Sequence, residues 1–186
     1  LFLGKIKKLA PNLNAAFVNI GTDKDAFLHY QDLGPQFLSY QKFLKDTISK
    51  KQQSPSLKNF EKVNDINKMG TVDKVLTAGD LVLLQITKEP ISTKGPRIST
   101  QISLTGRFLV LIPFDNKISV SKKVANPEEK TRLKTLIESI RPEGFGVIIR
   151  TVAEGKKVAE LHNDMNQLIK KWETTFKNIQ KNKVPS

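Results

Sequence analysis

Over the first 30 residues, apolar and polar positions alternate or form short runs, which is the pattern of β-strands. Positions 4–9 alternate, and residues 15–20 and 26–30 form two short apolar runs. The polar residues 22–25 between the runs have the composition of a turn, so the pattern predicts a β-hairpin. Residues 81–87 predict a further strand. Short strands with glycine-marked bends favour a small barrel.

A long polar segment, residues 34–78, separates these strands. Lysines are frequent in it, and residues 52–56 have the composition of a flexible loop. A loop of this length is unusual within a compact domain. We therefore predict an insertion that is partly helical or mobile.

The second half of the chain mixes strand and helix patterns. The apolar run 107–112 predicts a buried strand, and residues 117–120 beyond a turn predict its partner strand. Residues 126–129 predict a helix start, with a capping Asn, a Pro at the first helical position and two acids in the first turn. Residues 145–149 predict another strand. A long helix is predicted over 158–179, where apolar residues recur at helical spacing.

Charge is the strongest signal in the composition. The 186 residues include 31 Lys and Arg against 18 Asp and Glu, which gives a formal net charge of +13. This excess favours a polyanionic partner such as nucleic acid, although a basic surface without a specific partner has the same composition. No stretch reaches the roughly 18 apolar residues of a membrane span.

Cysteine is absent, and His29 and His162 are the only histidines. The composition therefore excludes disulfides, thiolate zinc sites, cysteine nucleophiles and a metal site built from histidines. A chain without cysteine fits a reducing compartment, and we expect a cytoplasmic protein.

Two phenylalanines are candidate RNA-binding residues, because Phe17 and Phe27 fall on the two strands of the predicted hairpin. OB-type barrels bind single strands through aromatic faces in a basic groove. From the pattern alone, two core aromatic residues are the more common arrangement. Lys94, beside the flexible Gly95, is placed to meet a phosphate, although a solvated turn is the commoner explanation.

Arg150 is a candidate phosphate ligand, because it follows an apolar run and emerges where a buried strand ends. The chain then leads into a helix, and N–H groups at a helix start bind anions. The hydroxyl of Thr151 would complete a phosphate pocket beside the guanidinium fork. A structural ion pair of Arg150 with Glu154 or Glu160 explains the pattern equally well.

The carboxylates form no catalytic set in the sequence. Glu128 and Glu129 suit a helix N-terminus, and we expect Glu160 and Asp164 to be solvated on the polar side of the last helix. No glycine-rich phosphate loop, catalytic triad or metal-ligand cluster is present. A self-sufficient nuclease is therefore disfavoured.

Several separated motifs resemble the ribonuclease E/G family of bacterial endoribonucleases. Residues 4–6, 13–21 and 25–29 look like its RNA-binding barrel, which is of the ribosomal protein S-one type. Residues 93–100 and 102–104 resemble the segment that leaves this barrel. The motifs occur in the order that the family has.

Residues 108–113 and 149–151, with Gly155, look like the family's sensor domain for RNA five-prime ends. The resemblance implies the fold class α+β. A small OB-type barrel with the insertion at 34–78 would occupy residues 1–100, and an α+β sensor domain ending in a long helix would occupy residues 101–186.

The resemblance also implies the residues that contact RNA. The residues that match the RNA-contacting positions of the barrel are Phe17, Phe27 and Lys94. Those that match the five-prime-monophosphate pair are Arg150 and Thr151, and those that match positions lining the terminal nucleotide are Gly106 and Val110. Lys122 stands where the family's best-known member has an Arg beside the pocket, which keeps the charge but loses the bidentate fork.

In such a family the parent enzyme would be a homo-oligomer that hydrolyses RNA with Mg²⁺, in RNA processing and decay. The resemblance puts the magnesium-binding acids in a later nuclease region, which we do not find in this sequence. We therefore expect the portion that grips single-stranded RNA, preferably with a five-prime monophosphate, with no cofactor of its own. The alternative is an assembly module with little RNA affinity, in which part of the apolar stripe 158–179 is uncovered.

Overall fold

A computed structural model describes residues 1–91 and 93–181, and the C-terminal tail 182–186 lies outside the described residues. The chain divides into two compact units. The first contains residues 1–53, 62–102 and the end of the last helix from 177, and the second contains residues 54–61 and 103–176.

The first unit is built on a closed five-stranded barrel with the order β1-β2-β3-β5-β4. Its strands are β1 (Phe2–Ala10), β2 (Ala15–Asn19), β3 (Ala26–His29), β4 (Leu81–Lys88) and β5 (Arg97–Ser99). All neighbouring strands are antiparallel except β3 and β5, which are parallel. The predicted hairpin is confirmed, because Ala15 pairs with His29 and Phe17 pairs with Phe27. The barrel has the strand number and closure of the OB type that was predicted.

The barrel interior is filled by aliphatic side chains that alternate along the strands. The buried members of this core include Ile6, Val18, Leu28, Val82, Leu84 and Ile98. Alternation has a period of two in a strand, so the neighbours of these residues point to the outer surface. The position of each residue in this alternation therefore determines which aromatic side chains of β2 and β3 remain accessible.

The segment 34–78 contains helix α1 (Phe37–Ile48) and a one-turn 3-10 helix at Val72–Lys74. One face of α1 is buried, including Phe37, Tyr40 and Leu44, and α1 lies against β4. The predicted helical content of this segment is therefore confirmed.

The second unit contains a four-stranded sheet with the order β6-β7-β9-β8. Its strands are β6 (Leu104–Thr105), β7 (Leu109–Pro113), β8 (Ile118–Val120) and β9 (Phe145–Ile149). The prediction that 117–120 pairs with the preceding strand is wrong, because β8 pairs in parallel with β9. Helix α2 (Pro127–Ile140) makes the crossover that a parallel pair requires, and β6 and β9 occupy the two edges of β7.

The start of β7 also differs from the prediction, which included residues 107 and 108. The strand begins at Leu109, because the backbone N–H groups of Arg107 and Phe108 donate to the side chain of Asp164 instead of to a strand. The two residues form a turn that leads from β6 into β7.

The two predicted helices of the second half are confirmed. Asn126 caps α2 by accepting hydrogen bonds from the N–H groups of Glu128 and Glu129, and Pro127 is the first helical residue. Helix α3 (Val158–Gln180) carries the predicted apolar stripe. The buried members of the stripe are Leu161, Met165, Leu168, Trp172, Phe176 and Ile179. No helix within the described residues is both long and apolar enough to cross a membrane.

Candidate nucleic-acid interface

A groove on the outside of the barrel brings three sequence-predicted residues together. Phe17 on β2, Phe27 on β3 and Lys94 on the turn before β5 all line this barrel groove. Its volume is about 760 Å³, which lies within the range of roughly 300–1,000 Å³ that is usual for ligand sites. The fold therefore places aromatic and cationic candidates on one surface, although they lie up to 77 residues apart in the sequence.

The two phenylalanine rings lie on the outer face of the barrel. Their strand neighbours Ala16, Val18 and Leu28 are fully buried, whereas Phe17 and Phe27 are half-buried. The ring centroids are 5.9 Å apart and the ring planes meet at 68°, an edge-to-face contact. The sequence pattern alone favoured core aromatic residues at these positions, and the parity of the two strands puts them in the barrel groove instead.

Cations surround the two rings. The Lys8 Nζ lies 5.3 Å from the centroid of Phe17, within cation–π distance. Lys8 is also the cross-strand partner of Phe17 in the β1–β2 pairing. Further charged residues that line the barrel groove are Lys24, Asp25, Lys88, Glu89 and Arg97. Sequence reasoning missed Lys8, which the predicted hairpin register does not include because it belongs to the neighbouring strand.

Gly95 lines the barrel groove at a position where only glycine fits. A Cβ atom built on Gly95 would lie 2.0 Å from the backbone oxygen of Asp25. The adjacent Pro96 carbonyl accepts a hydrogen bond of 2.9 Å from the Phe27 N–H. The close approach of these two backbones positions Phe27 relative to Lys94.

We expect Gly95→Ala to destabilise the barrel by about 1–3 kcal/mol, because the clash is with backbone and cannot be relieved by a side-chain rotation. Thermal unfolding of the variant measures this loss. Thr93→Ala, an exposed position in the same turn, is the matched control. Equal melting temperatures for the two variants would contradict the steric argument.

In the second unit, Arg150 follows β9 and holds the turn between β6 and β7. Its Nη1 group donates to the carbonyl oxygens of Gly106 (2.7 Å) and Arg107 (3.2 Å). Within the described residues Arg150 forms no ion pair with Glu154 or Glu160. A guanidinium has five N–H donors, so the described contacts leave three of them for a ligand.

Thr151 contacts Ser121, the residue before Lys122, just after the end of β8. The hydroxyl groups of Thr151 and Ser121 share a hydrogen bond of 3.0 Å, and the Ser121 N–H donates to the Ile149 carbonyl at 2.9 Å. Lys122 follows directly and is exposed. The parallel pairing of β8 with β9 thus brings Lys122 beside the segment that carries Thr151.

Gly106 and Val110 flank the same turn. Val110 is half-buried and pairs with Ile148 on β9. A Cβ atom on Gly106 would lie 2.6 Å from an oxygen of the Asp164 carboxylate. The absence of a side chain at this position therefore lets the turn 106–109 approach the carboxylate.

The prediction that Asp164 is solvated is wrong. Asp164 is only 6 % exposed, and its carboxylate accepts hydrogen bonds from the N–H groups of Arg107 (3.1 Å), Phe108 (2.9 Å) and Leu109 (3.0 Å). Three N–H donors satisfy a buried carboxylate that would otherwise be costly to desolvate. Asp164 on α3 therefore fixes the turn to which Arg150 also binds.

Three of the N–H groups that follow Arg150, those of Ala153, Glu154 and Gly155, donate within the protein. The Ala153 and Glu154 N–H groups donate to carbonyls of the preceding turn, and the Gly155 N–H donates to Glu129 at 2.7 Å. The hydrogen bond from Arg132 and that from Gly155 lower the pKa of Glu129. The Glu129 carboxylate thus binds the Gly155 N–H, one of the backbone donors in this segment.

Two further cations lie near the Arg150 turn, which is the turn 106–109 to which Arg150 donates, and sequence reasoning missed both as candidates. The guanidinium carbon of Arg107 lies 5.2 Å from the ring centroid of Phe108, and the Lys156 Nζ lies 5.7 Å from it. Arg107 is exposed. The surface around Arg150 is therefore cationic through side chains of two separate segments.

Acidic side chains do not converge in the described residues. No three His, Asp or Glu side chains of 1–91 and 93–181 lie close enough together to hold a metal ion.

Comparison with known proteins identifies the same family across the whole chain. Residues 103–186 match the sequence model of the Ribonuclease E/G family. The chain is 32% identical over 187 residues to Ribonuclease E of Nostoc sp., with 100% of this chain and 23% of the relative covered. It is 34% identical over 172 residues to Ribonuclease G of Escherichia coli, with 92% of this chain and 31% of the relative covered.

A third relative, Ribonuclease G of Haemophilus influenzae, is 32% identical over 186 residues, with 100% of this chain and 34% of the relative covered. The chain thus spans between about a quarter and a third of the length of these curated relatives. The match to both units, together with the closed barrel, establishes that the chain belongs to the ribonuclease E/G family.

Proposed function

We propose that this chain is the RNA-binding and five-prime-monophosphate-sensing portion of a ribonuclease E/G-type endoribonuclease that acts in RNA processing and decay. The observation that carries the proposal is the barrel groove, in which Phe17, Phe27 and Lys94 lie together on a strongly basic chain. The names of the curated relatives, Ribonuclease E and Ribonuclease G, support an RNA substrate.

The barrel groove suits single-stranded RNA. Half-buried rings offer faces on which unpaired bases stack, and each stacked base contributes roughly 1–3 kcal/mol. Lys94 and Lys8 meet the phosphates as point charges, and the net charge of +13 raises the local concentration of RNA. Paired bases present no free faces, so the barrel groove discriminates against duplexes.

The Arg150 turn suits a terminal phosphate. Three N–H groups of the guanidinium and the Thr151 hydroxyl supply charge-assisted and neutral hydrogen bonds, and Lys122 adds a nearby charge. Gly106 and Val110 would line the terminal nucleotide. Because Asp164 and Arg150 both hold the turn 106–109, the surface is organised before the ligand arrives. A triphosphate end needs more room and more compensating charge than these groups provide.

The parent enzyme in this proposal is a cytoplasmic homo-oligomer that uses Mg²⁺ for hydrolysis outside the residues described. The side chains of this chain hold the RNA and recognise its end. The assembly-module alternative rested on an uncovered apolar stripe. Six stripe residues of α3 are buried, and only Val158 at its start is substantially exposed (44 %), so that motivation is lost within the described residues.

We expect Arg150→Ala to weaken binding of RNA with a five-prime monophosphate by about tenfold or more, since a hydrogen bond to a charged group contributes roughly 1.5–3 kcal/mol. Binding of the same RNA with a five-prime hydroxyl should change little. Titrations with monophosphate, triphosphate and hydroxyl ends, at two salt concentrations, measure the difference, because phosphate contacts are salt-sensitive.

Arg141→Ala is the matched control for this experiment. Arg141 lies in the same unit and also donates through Nη1 to backbone carbonyls, those of Asn116 and Phe145. Arg141→Ala therefore measures the change in RNA affinity that comes from losing such hydrogen bonds to the backbone alone. Equal losses for the monophosphate and hydroxyl RNAs with Arg150→Ala would overturn the sensing role and leave RNA binding by the barrel groove untouched.

A further inference from the structure

Two aliphatic side chains stand exposed beside the aromatic pair. Eight large apolar side chains in the described residues are exposed, and two of them, Leu13 (55 %) and Ile91 (70 %), line the barrel groove. Exposed aliphatic surface that rims a cavity with convergent polar groups is typical of a binding site rather than of a stabilising core.

Leu13 is held in place by its neighbours. It ends a one-turn 3-10 helix, and the following Asn14 adopts a left-handed conformation (φ 48°). The Asn14 side chain donates to the Gly70 carbonyl (3.1 Å) and accepts from the Val72 N–H (2.8 Å). The backbone that carries Leu13 is therefore anchored, and the side chain is displayed toward the barrel groove by the fold.

Ile91 lies close to Lys94. The Lys94 N–H donates to the Ile91 carbonyl at 2.8 Å, and the two residues form an antiparallel bridge. Two hydrogen-bonded residues thus bring an apolar side chain and a cation to the same groove. This pairing matches one nucleotide, which has an apolar base face and an anionic phosphate.

The charges of the barrel groove favour a polyanionic ligand. The cations Lys8, Lys24, Lys88, Lys94 and Arg97 line it, as do two acids, Asp25 and Glu89. Arg97 is paired with Asp32 at 2.9 Å. Asp25 is already paired with Lys7 at 2.9 Å. An uncharged apolar partner would desolvate Lys88 and Lys94 without compensation, whereas a polyanion with flat apolar faces satisfies both the cations and the aliphatic side chains.

We infer that Leu13 and Ile91 are further RNA-binding residues, which pack against the face of an unpaired base adjacent to those stacked on Phe17 and Phe27. Ile91 and Lys94 hold one nucleotide together, with Ile91 on the base and Lys94 on the phosphate. The inference rests on the proposed RNA-binding function of the barrel groove and extends the contact surface from rings to aliphatic side chains.

The test compares Leu13→Ser and Ile91→Ser with Met69→Ser. Met69 is the matched control because it is exposed (86 %) in the same unit and does not line the barrel groove. The probes are a ten-nucleotide oligouridine and an abasic ribose-phosphate strand of the same length. We expect each groove variant to lose about tenfold in affinity for oligouridine, from the apolar area it no longer buries, and to bind the abasic strand unchanged.

Lys94→Ala should weaken binding of both probes, because its phosphate contact does not depend on the base. Affinities of Leu13→Ser and Ile91→Ser equal to that of Met69→Ser, with Phe27→Leu still weakened, would overturn this inference alone. Equal losses of the groove variants on both probes would also overturn it. Oligouridine binding that is indifferent to Phe17, Phe27 and Lys94 as well would instead reject the proposed function of the barrel groove.

Discussion

Replacing Phe27 with leucine is expected to lower the affinity for single-stranded RNA by roughly 5- to 100-fold, with the barrel still folded. The estimate follows from the roughly 1–3 kcal/mol that one base–aromatic stack contributes. Leucine keeps an apolar side chain at the half-buried position but removes the flat face on which a base stacks. Because Phe17 and Phe27 touch, the loss in the double variant is not expected to equal the sum of the single losses.

Phe2→Leu is the control for both phenylalanine variants. Phe2 is an exposed aromatic residue on β1 of the same barrel, and it does not line the barrel groove. Fluorescence anisotropy with a labelled oligouridine measures affinity, and circular dichroism verifies that the strands are intact. If Phe17→Leu and Phe27→Leu bind as tightly as Phe2→Leu, the stacking role of the rings is wrong.

Asp164→Ala should destabilise the second unit by about 3–5 kcal/mol, among the largest effects expected of a single substitution in this chain. The change leaves the N–H groups of Arg107, Phe108 and Leu109 without the carboxylate that now accepts from all three. Two of these hydrogen bonds are buried. Asp164→Asn, which keeps one accepting oxygen, should lose less.

Trp172 provides the measurement for this variant. It is the only tryptophan of the chain and is almost fully buried in the second unit, against Phe114 and Phe145. Its fluorescence during urea unfolding therefore reports that unit rather than the barrel. Glu160→Gln, on the exposed side of the same helix, should change stability by no more than about 0.5 kcal/mol. A similar urea midpoint for Asp164→Ala and Glu160→Gln would show that the Asp164 hydrogen bonds do not stabilise the second unit.

The sequence correctly predicted the secondary-structure elements that depend mainly on residues close to one another in the chain. The hairpin of β2 and β3 follows from two apolar runs around a polar turn, and the start of α2 follows from the cap Asn126 with Pro127. The apolar stripe of α3 was predicted because its residues recur at the spacing that places side chains on one face of a helix. The composition and the separated motifs also indicated a basic, RNA-related protein of the ribonuclease E/G family, which the comparisons support.

Contacts between segments that are distant in the sequence could not be predicted from its local patterns. Nothing near Asp164 in the sequence indicates that its carboxylate binds three N–H groups more than 50 residues away. Likewise, residues 118–120 look like the partner of the strand just before them, but a parallel pairing across α2 places them beside β9. Such pairings depend on which sheet edge is open, and a strand's own residues do not encode that.

The sequence by itself determined the basic charge and the class of fold, because these follow from composition and local periodicity, and the resemblance of its separated motifs indicated the family. Only the tertiary structure decided which side of the barrel Phe17 and Phe27 face, and that Leu13, Ile91 and Lys94 share their groove. The physical reason is that a one-residue change in strand register turns every side chain to the opposite face, and register is set by pairing with remote strands.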